Sequence, residues 1–292
     1  MGPVPLPISI EDLCIYIQFL SEELAAPQSV SNYINGLRVL HTLTDLPTTS
    51  FYLADVKLMM LGVRRLKQHR VRQAEPITLD MLLKMSSRVD SGDISQVACW
   101  TAILTAFFCM LRSSNLIPKS RAAFDQDKQL CRSDILEGHS CWAVKIRWSK
   151  TIQFANREFY LPLVPIPNSP LCPVKALRYY LQKSAGSGLR GAFSVKSRGK
   201  WFPLTYSKLL KQFKKWVAEI GYSSKSFALH SLRRGAATLA FESKLPAELI
   251  KAQGDWASDA YLRYLSISTA QRCRVAEALR GEVVAAELLS PP

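Results

Sequence analysis

ALHSLRRGAATLAFESKLPAELIKAQGDWASDAYLRYLS, residues 228–266, decides the reading of this chain. A helix over HSLRRGAATLAF puts His230 and Arg233, three positions apart, on one face and turns Arg234 elsewhere. Gly254-Asp255-Trp256 follows, and Tyr261 and Tyr264 stand five and eight residues beyond the tryptophan. These residue types suit one chemistry. A phosphodiester is held best by a planar guanidinium, which bonds two oxygens at once, and Arg233 suits that role. Trp256 offers a neutral indole N–H. A tyrosine hydroxyl, with a free pKa of about 10, is a competent nucleophile only where nearby cations stabilise the charge developing on it. The segment reads as a phosphate pocket with a nucleophile beside it.

His230-x-x-Arg233, Gly254-Asp255-Trp256 and the tyrosine that follows resemble the C-terminal boxes of tyrosine recombinases, the phage-integrase family, whose core is shared with type IB topoisomerases. The upstream boxes of that family have counterparts. The apolar run Val97 to Leu111 stops at Arg112, matching the first arginine of the family, and Lys150 lies between CWAVKIRWS and TIQFANREFYLPL, matching the lysine of a turn between strands. All five box types occur in the family's order across about residues 76 to 270. The wording GDWASDAYLRYL is similar to recombinases of eukaryotic mobile elements, the DIRS, Ngaro and Crypton groups. Two positions depart from the pattern. Asn115 stands where the family usually has an acidic residue, three positions after the first arginine, and Trp256 to Tyr264 is one residue shorter than the commonest spacing. Spacing favours Tyr264 as nucleophile and leaves Tyr261 as the alternative, since residues three apart on a helix share a face.

The resemblance implies metal-free transesterification. Tyr264 would attack a DNA phosphate, giving a 3′-phosphotyrosyl link and a free 5′-hydroxyl, while Arg112 and Arg233 hold the non-bridging oxygens. Lys150 would protonate the leaving 5′-oxygen, His230 would assist as acid or base, and Trp256 would donate a hydrogen bond. It also implies a double-stranded DNA partner at element termini or recombination sites, paired exchanges through a Holliday junction, a homotetramer on DNA and a nuclear setting. Two alternatives come from other classes: monomeric DNA relaxation of the topoisomerase type, and a domesticated DNA-binding protein that no longer cuts. Singly, each residue has an ordinary structural role. Arg112 could cap a helix end, Lys150 could be a turn lysine, and His230, Trp256 and Tyr264 could simply pack. Their joint occurrence in one order distinguishes them.

Composition agrees with a nucleic-acid partner. The 292 residues carry 38 Lys and Arg against 23 Asp and Glu, a net charge of +15. Residues 1–74 hold 7 basic and 6 acidic side chains, so the remaining +14 belongs to residues 75–292. Within the near-neutral part, Lys57, Arg64, Arg65, Lys67, Arg70 and Arg72 follow one another without an intervening acid, and one face of their helix is expected to meet phosphate.

Helical patterns run through residues 11–25, 28–44 and 51–69, with Pro27 and Pro47 in the breaks. RQAEPIT, with Pro76, reads as a linker. The expected architecture is mainly α with a small antiparallel β-sheet (α+β): a helical core-type DNA-binding domain over 1–74 and a catalytic domain over 75–292, which by resemblance close on DNA as a C-shaped clamp. Within the second, residues 79–89 and 94–111 read as helices, the latter apolar all round and hence buried. Its 15-residue apolar stretch is too short to span a membrane, where about 20 residues are needed. Strands are expected near 134–135, 141–148 and 158–164, and helices over 173–184, 205–221 and after His230. A last stripe, Val275, Leu279, Val283 and Ala286, needs a burial surface. In the family the corresponding tail docks on a neighbouring protomer, so residues 269–289 are expected to be an assembly helix.

Other chemistry finds little support. Seven cysteines include no C-x-x-C pair and no secretory signal precedes them, which reads as reduced thiols in an intracellular protein. Cys131, His139 and Cys141 lack paired metal-ligand spacing. There is no Gly-rich phosphate loop and no acidic cluster for Mg²⁺, so the expectation is no cofactor, no metal and no membrane partner. The opening Met1-Gly2-Pro3 reads as a cloning remnant.

Overall fold

The computed structural model describes residues 6–68, 73–149, 152 and 158–265, together with 277 and 280, but not the side chains of Ala260, Arg263 and Tyr264. The chain divides into two compact units, residues 1–72 and 73–292. In the first, α1 (Ile10–Glu23) starts on Ser9, whose hydroxyl accepts the Asp12 amide at 3.0 Å, and α2 (Pro27–Leu43) starts on a proline whose missing N–H costs nothing there. A 3₁₀ turn over Thr49–Tyr52 precedes α3 (Ala54–Lys67). The sequence pattern suggested one helix from residue 51, but Leu53 is extended (φ −64°, ψ 157°) and interrupts it. Leu13, Ile17, Leu20, Val30, Ile34, Phe51, Val56 and Val63 form the core of this unit.

The second unit is built around α5 (Ile94–Phe108), which follows α4 (Leu79–Ser86) and is buried on every side, as its continuous apolar run requires. Its two internal threonines satisfy their hydroxyls within the helix, Thr101 on the Val97 carbonyl and Thr105 on the Thr101 carbonyl, both at 2.8 Å. After the short α6 (Ser113–Leu116), strands β1 (Ile135–Leu136), β2 (Trp142–Ile146) and β3 (Phe159–Leu163) form an antiparallel sheet in that spatial order. Val144 sits opposite Ile135 and Leu161, so the buried side chains of all three strands share one face. Then come α7 (Pro173–Lys183), the hairpin β4 (Ser194–Ser197) and β5 (Lys200–Pro203), α8 (Tyr206–Glu219), α9 (His230–Glu242), α10 (Ala247–Gln253) and a 3₁₀ helix over Asp259–Tyr264. Among the described residues this is a mainly α protein with small antiparallel sheets, as expected. No helix among them is long and apolar enough to cross a membrane.

Residues 73–78 are less of a free linker than their composition suggested. The Glu75 amide donates to the Ser226 carbonyl at 2.8 Å and the Ile77 amide to the Ser231 carbonyl at 3.1 Å. Ile77 is buried against α9, where a Cβ on Gly235 would overlap its carbonyl oxygen. Glycine here permits close backbone approach, and Arg234 completes the attachment by donating to the Gln73 side-chain oxygen at 2.6 Å.

Candidate active site

Arg112 is delivered by the way α5 ends. Met110 adopts a left-handed conformation (φ 47°), its amide bonding the Phe107 carbonyl at 3.0 Å while the Leu111 amide reaches back to Ala106 at 2.9 Å. This pair of hydrogen bonds closes the helix in a Schellman turn, with methionine where glycine is usual. The chain leaves in a new direction, and Arg112 becomes the residue before α6.

Helix α9 supplies His230 and Arg233 from the same face, with His230 at its first position. Arg233 is only 2% exposed, and its terminal nitrogens donate to the carbonyls of Met110 and Gly254. Both carbonyls belong to helix C-termini, those of α5 and α10, so a buried cation sits where two negative helix ends converge. The Trp256 ring stacks on this guanidinium, with its centroid 3.9 Å from the central carbon. Gly254 makes that stacking possible, because a Cβ there would overlap the indole.

His230 is exposed as a residue, yet partial burial of its imidazole, with the charges of Arg233, Arg234 and Arg112, pushes its pKa from 6.5 down to about 4. Charge acts in the same direction as burial: three guanidinium groups repel a fourth positive charge, and the N-terminal end of α9 adds to the effect. At neutral pH the ring is therefore uncharged and able to accept a proton.

A second set of contacts ties Arg112 to the segment leading to Lys150. Arg112 Nη1 lies 3.7 Å from Asp255 Oδ2, and Nη2 donates to the Asp255 main-chain oxygen at 3.4 Å. The same Oδ2 accepts a hydrogen bond from the buried Ser149 hydroxyl. Asn115 is buried, and its side-chain amide donates to the Trp148 carbonyl, so the position expected to be acidic instead anchors the segment that follows β2. Ser149 and Ile152 bond each other's backbone at 3.4 and 3.0 Å across the two intervening positions. Lys150 itself lies outside the described residues.

The structure thus brings Arg112, His230, Arg233 and Trp256 together. Tyr261 is 8% exposed and packs its ring 6.2 Å from that of Trp256. Its backbone belongs, with that of Tyr264, to the 3₁₀ helix Asp259–Tyr264. The Tyr264 side chain, Arg70, Arg72 and all of the expected assembly helix except Glu277 and Arg280 are outside the described residues. In the first unit Lys57, Arg64 and Arg65 are exposed on α3 and Lys67 is half-buried. Sequence reasoning missed Asp255 and Ser149. The available signals were a carboxylate inside the Gly-Asp-Trp turn and a hydroxyl directly before Lys150. Among the described residues, no cluster of His, Cys, Asp and Glu could hold a metal ion.

No protein-family model matches the sequence. No curated protein sequence matches it. Solved structures do resemble it. The Tn1549 transposon integrase in complex with transposon right end DNA aligns with a TM-score of 0.60 at 13% identity, over 94% of this chain and 86% of that one. Lambda integrase, as a dimer bound to a COC′ core site, aligns at 0.54 and 18% identity over 91% and 83%. The XerH site-specific recombinase in its post-cleavage complex with a palindromic difH substrate aligns at 0.54 and 14% identity over 85% of this chain and 69% of that one. The helical body with its small antiparallel sheet is the tyrosine-recombinase fold.

Proposed function

We propose that this protein is a site-specific DNA recombinase that cuts and rejoins double-stranded DNA through a 3′-phosphotyrosyl intermediate. The observation that carries the reading is the convergence of Arg112, Arg233 and a neutral His230 on one site beside Trp256. Two fixed cations suit the non-bridging oxygens of a phosphodiester, and their field favours charge build-up in the transition state. The N-terminal end of α9, with His230 on its first turn, adds a partial positive charge for the same anion.

In the proposed reaction the Tyr264 hydroxyl attacks phosphorus while its proton passes to neutral His230. The P–O5′ bond breaks, and Lys150 protonates the departing oxygen. Attack by a 5′-hydroxyl of another strand reverses these steps, so rejoining needs no external energy source. Tyr264 is preferred because Tyr261 is committed to packing beneath Trp256. On this reading Lys57, Arg64, Arg65, Lys67, Arg70 and Arg72 contact the DNA backbone. The tail over 269–289 joins protomers into a tetramer on DNA that works through a Holliday junction. The GDWASDAYLRYL wording supports a eukaryotic mobile-element recombinase, hence element termini as substrates and a nuclear setting.

Covalent trapping on nicked duplexes carrying the terminal repeats of the source element tests the chemistry. Wild type should give a protein–DNA adduct on denaturing gels, Tyr264→Phe none, and Tyr261→Phe an adduct unless repacking unfolds it. Loss confined to Tyr261→Phe would move the nucleophile. Salt-sensitive binding with no adduct from any form would replace this reading by DNA binding without cleavage.

A further inference from the structure

Asp255 has no part in the chemistry above, yet it touches more of the site than any role in packing requires. Its position is set by the end of α10. The Asp255 amide bonds the Ala252 carbonyl at 3.1 Å and the Trp256 amide bonds the Lys251 carbonyl at 3.0 Å, a Schellman turn with Asp255 left-handed at φ 50°. Aspartate tolerates that conformation better than most residues. The turn directs three consecutive residues to different parts of the site. Gly254 offers its carbonyl to Arg233, Trp256 covers the Arg233 guanidinium, and Asp255 faces Arg112 and Ser149.

The contacts of Asp255 are chemically matched. Arg112 places its two terminal nitrogens against different oxygens of one residue, Nη1 at 3.7 Å from the carboxylate and Nη2 at 3.4 Å from the main-chain carbonyl. That fixes the plane of the guanidinium as well as its position. An arginine has five N–H donors, so capacity for a phosphate remains. The Ser149 hydroxyl donates to the same carboxylate oxygen that faces Arg112. Asp255 and Ser149 are both buried, where a carboxylate must be well partnered and water competes little for the bond. Ser149 directly precedes Lys150, and its backbone is pinned by Ile152 on one side while Asn115 holds the Trp148 carbonyl on the other.

We propose that Asp255 is a positioning residue that holds the Arg112 guanidinium and the Trp148–Ser149 segment in one register, so that the phosphate clamp and the chain running into Lys150, the general acid of the proposed reaction, serve the same phosphodiester. The inference rests on the cleavage reading above. It makes Ser149 the link to Lys150, and Asp255 the only described residue whose one carboxylate oxygen faces both Arg112 and Ser149.

The test uses the full-length protein and suicide duplexes with either a normal 5′-oxygen or a 5′-bridging sulfur at the cut site. Sulfur leaves without protonation, so it bypasses the general acid. Asp255→Asn should slow adduct formation by about 100-fold, the effect of a displacement on the order of 1 Å, with DNA affinity little changed. Ser149→Ala should slow it by a smaller factor. The sulfur substrate should restore Ser149→Ala as fully as Lys150→Ala, but Asp255→Asn only in part, because its Arg112 defect remains. Equal losses for Ser149→Ala on both substrates would overturn the link to Lys150. A wild-type rate for a folded Asp255→Asn would overturn the whole proposal. So would a faster rate, which would mean that the carboxylate competes with phosphate for Arg112. If Asp255→Asn fails to fold, the Ser149→Ala comparison decides alone. No adduct from wild type would overturn the cleavage reading together with this one, whereas a wild-type adduct with undiminished variants removes only the positioning role.

Discussion

At the scale of single residues, the charge state of His230 is the most direct consequence of the arrangement. Its pKa is pushed to about 4, so the native state holds fewer protons than the unfolded chain between about 4 and 6.5. The sign follows: this group's contribution to stability is present above 6.5 and is lost as pH falls through that window. An NMR titration of the imidazole should show a midpoint well below 6.5 in free protein and an upward shift when a DNA phosphate is bound. A midpoint at or above 6.5 in free protein would mean that the three guanidiniums do not face the ring. Gly254 gives a second prediction. A Cβ there would drive the Trp256 ring off Arg233, so Gly254→Ala should destabilise by about 1–3 kcal/mol, read from chemical denaturation, and reduce cleavage. Unchanged stability would show that the indole has another resting place.

The basic face of α3 and the hairpin β4–β5 illustrate what each element's sequence discloses. Arg64, Arg65 and Lys67 occupy the last turn of α3, where cations also favour the helix dipole. Phosphate contact and helix stabilisation make different predictions for the triple variant Lys57→Ala, Arg64→Ala and Arg65→Ala. Contact lowers the slope of log affinity against log salt by about one for each phosphate lost, whereas a dipole role alone leaves the slope unchanged and costs a few tenths of a kcal/mol. Fluorescence anisotropy across a salt series separates the two. The hairpin escaped the sequence reading because its strands are four residues each, too short to show alternation. Its one local signal was Arg198-Gly199, which the structure places at φ 48° and 78°, the two positive angles of a type I′ turn.

At the scale of the whole molecule, the proposed function assigns assembly to the tail over residues 269–289. Removing residues 269–289 should leave DNA binding by single protomers while abolishing the tetramer, as judged by sedimentation of the protein–DNA complex. A tetramer that survives the deletion would place the contacts elsewhere.

Sequence alone determined the mainly α architecture with its antiparallel strands, the burial of α5 and the boxes around Arg112, His230, Arg233 and Trp256. Each of these depends on local patterning, on a period of apolar residues or on residue types at fixed spacing. Tertiary structure alone decided what the boxes do to one another. Arg233 meets Met110, Asp255 meets Ser149 and Asn115 meets Trp148 across many intervening residues. No periodicity encodes such pairs, because they arise only when helix ends converge on a shared desolvated site where every polar group must find a partner.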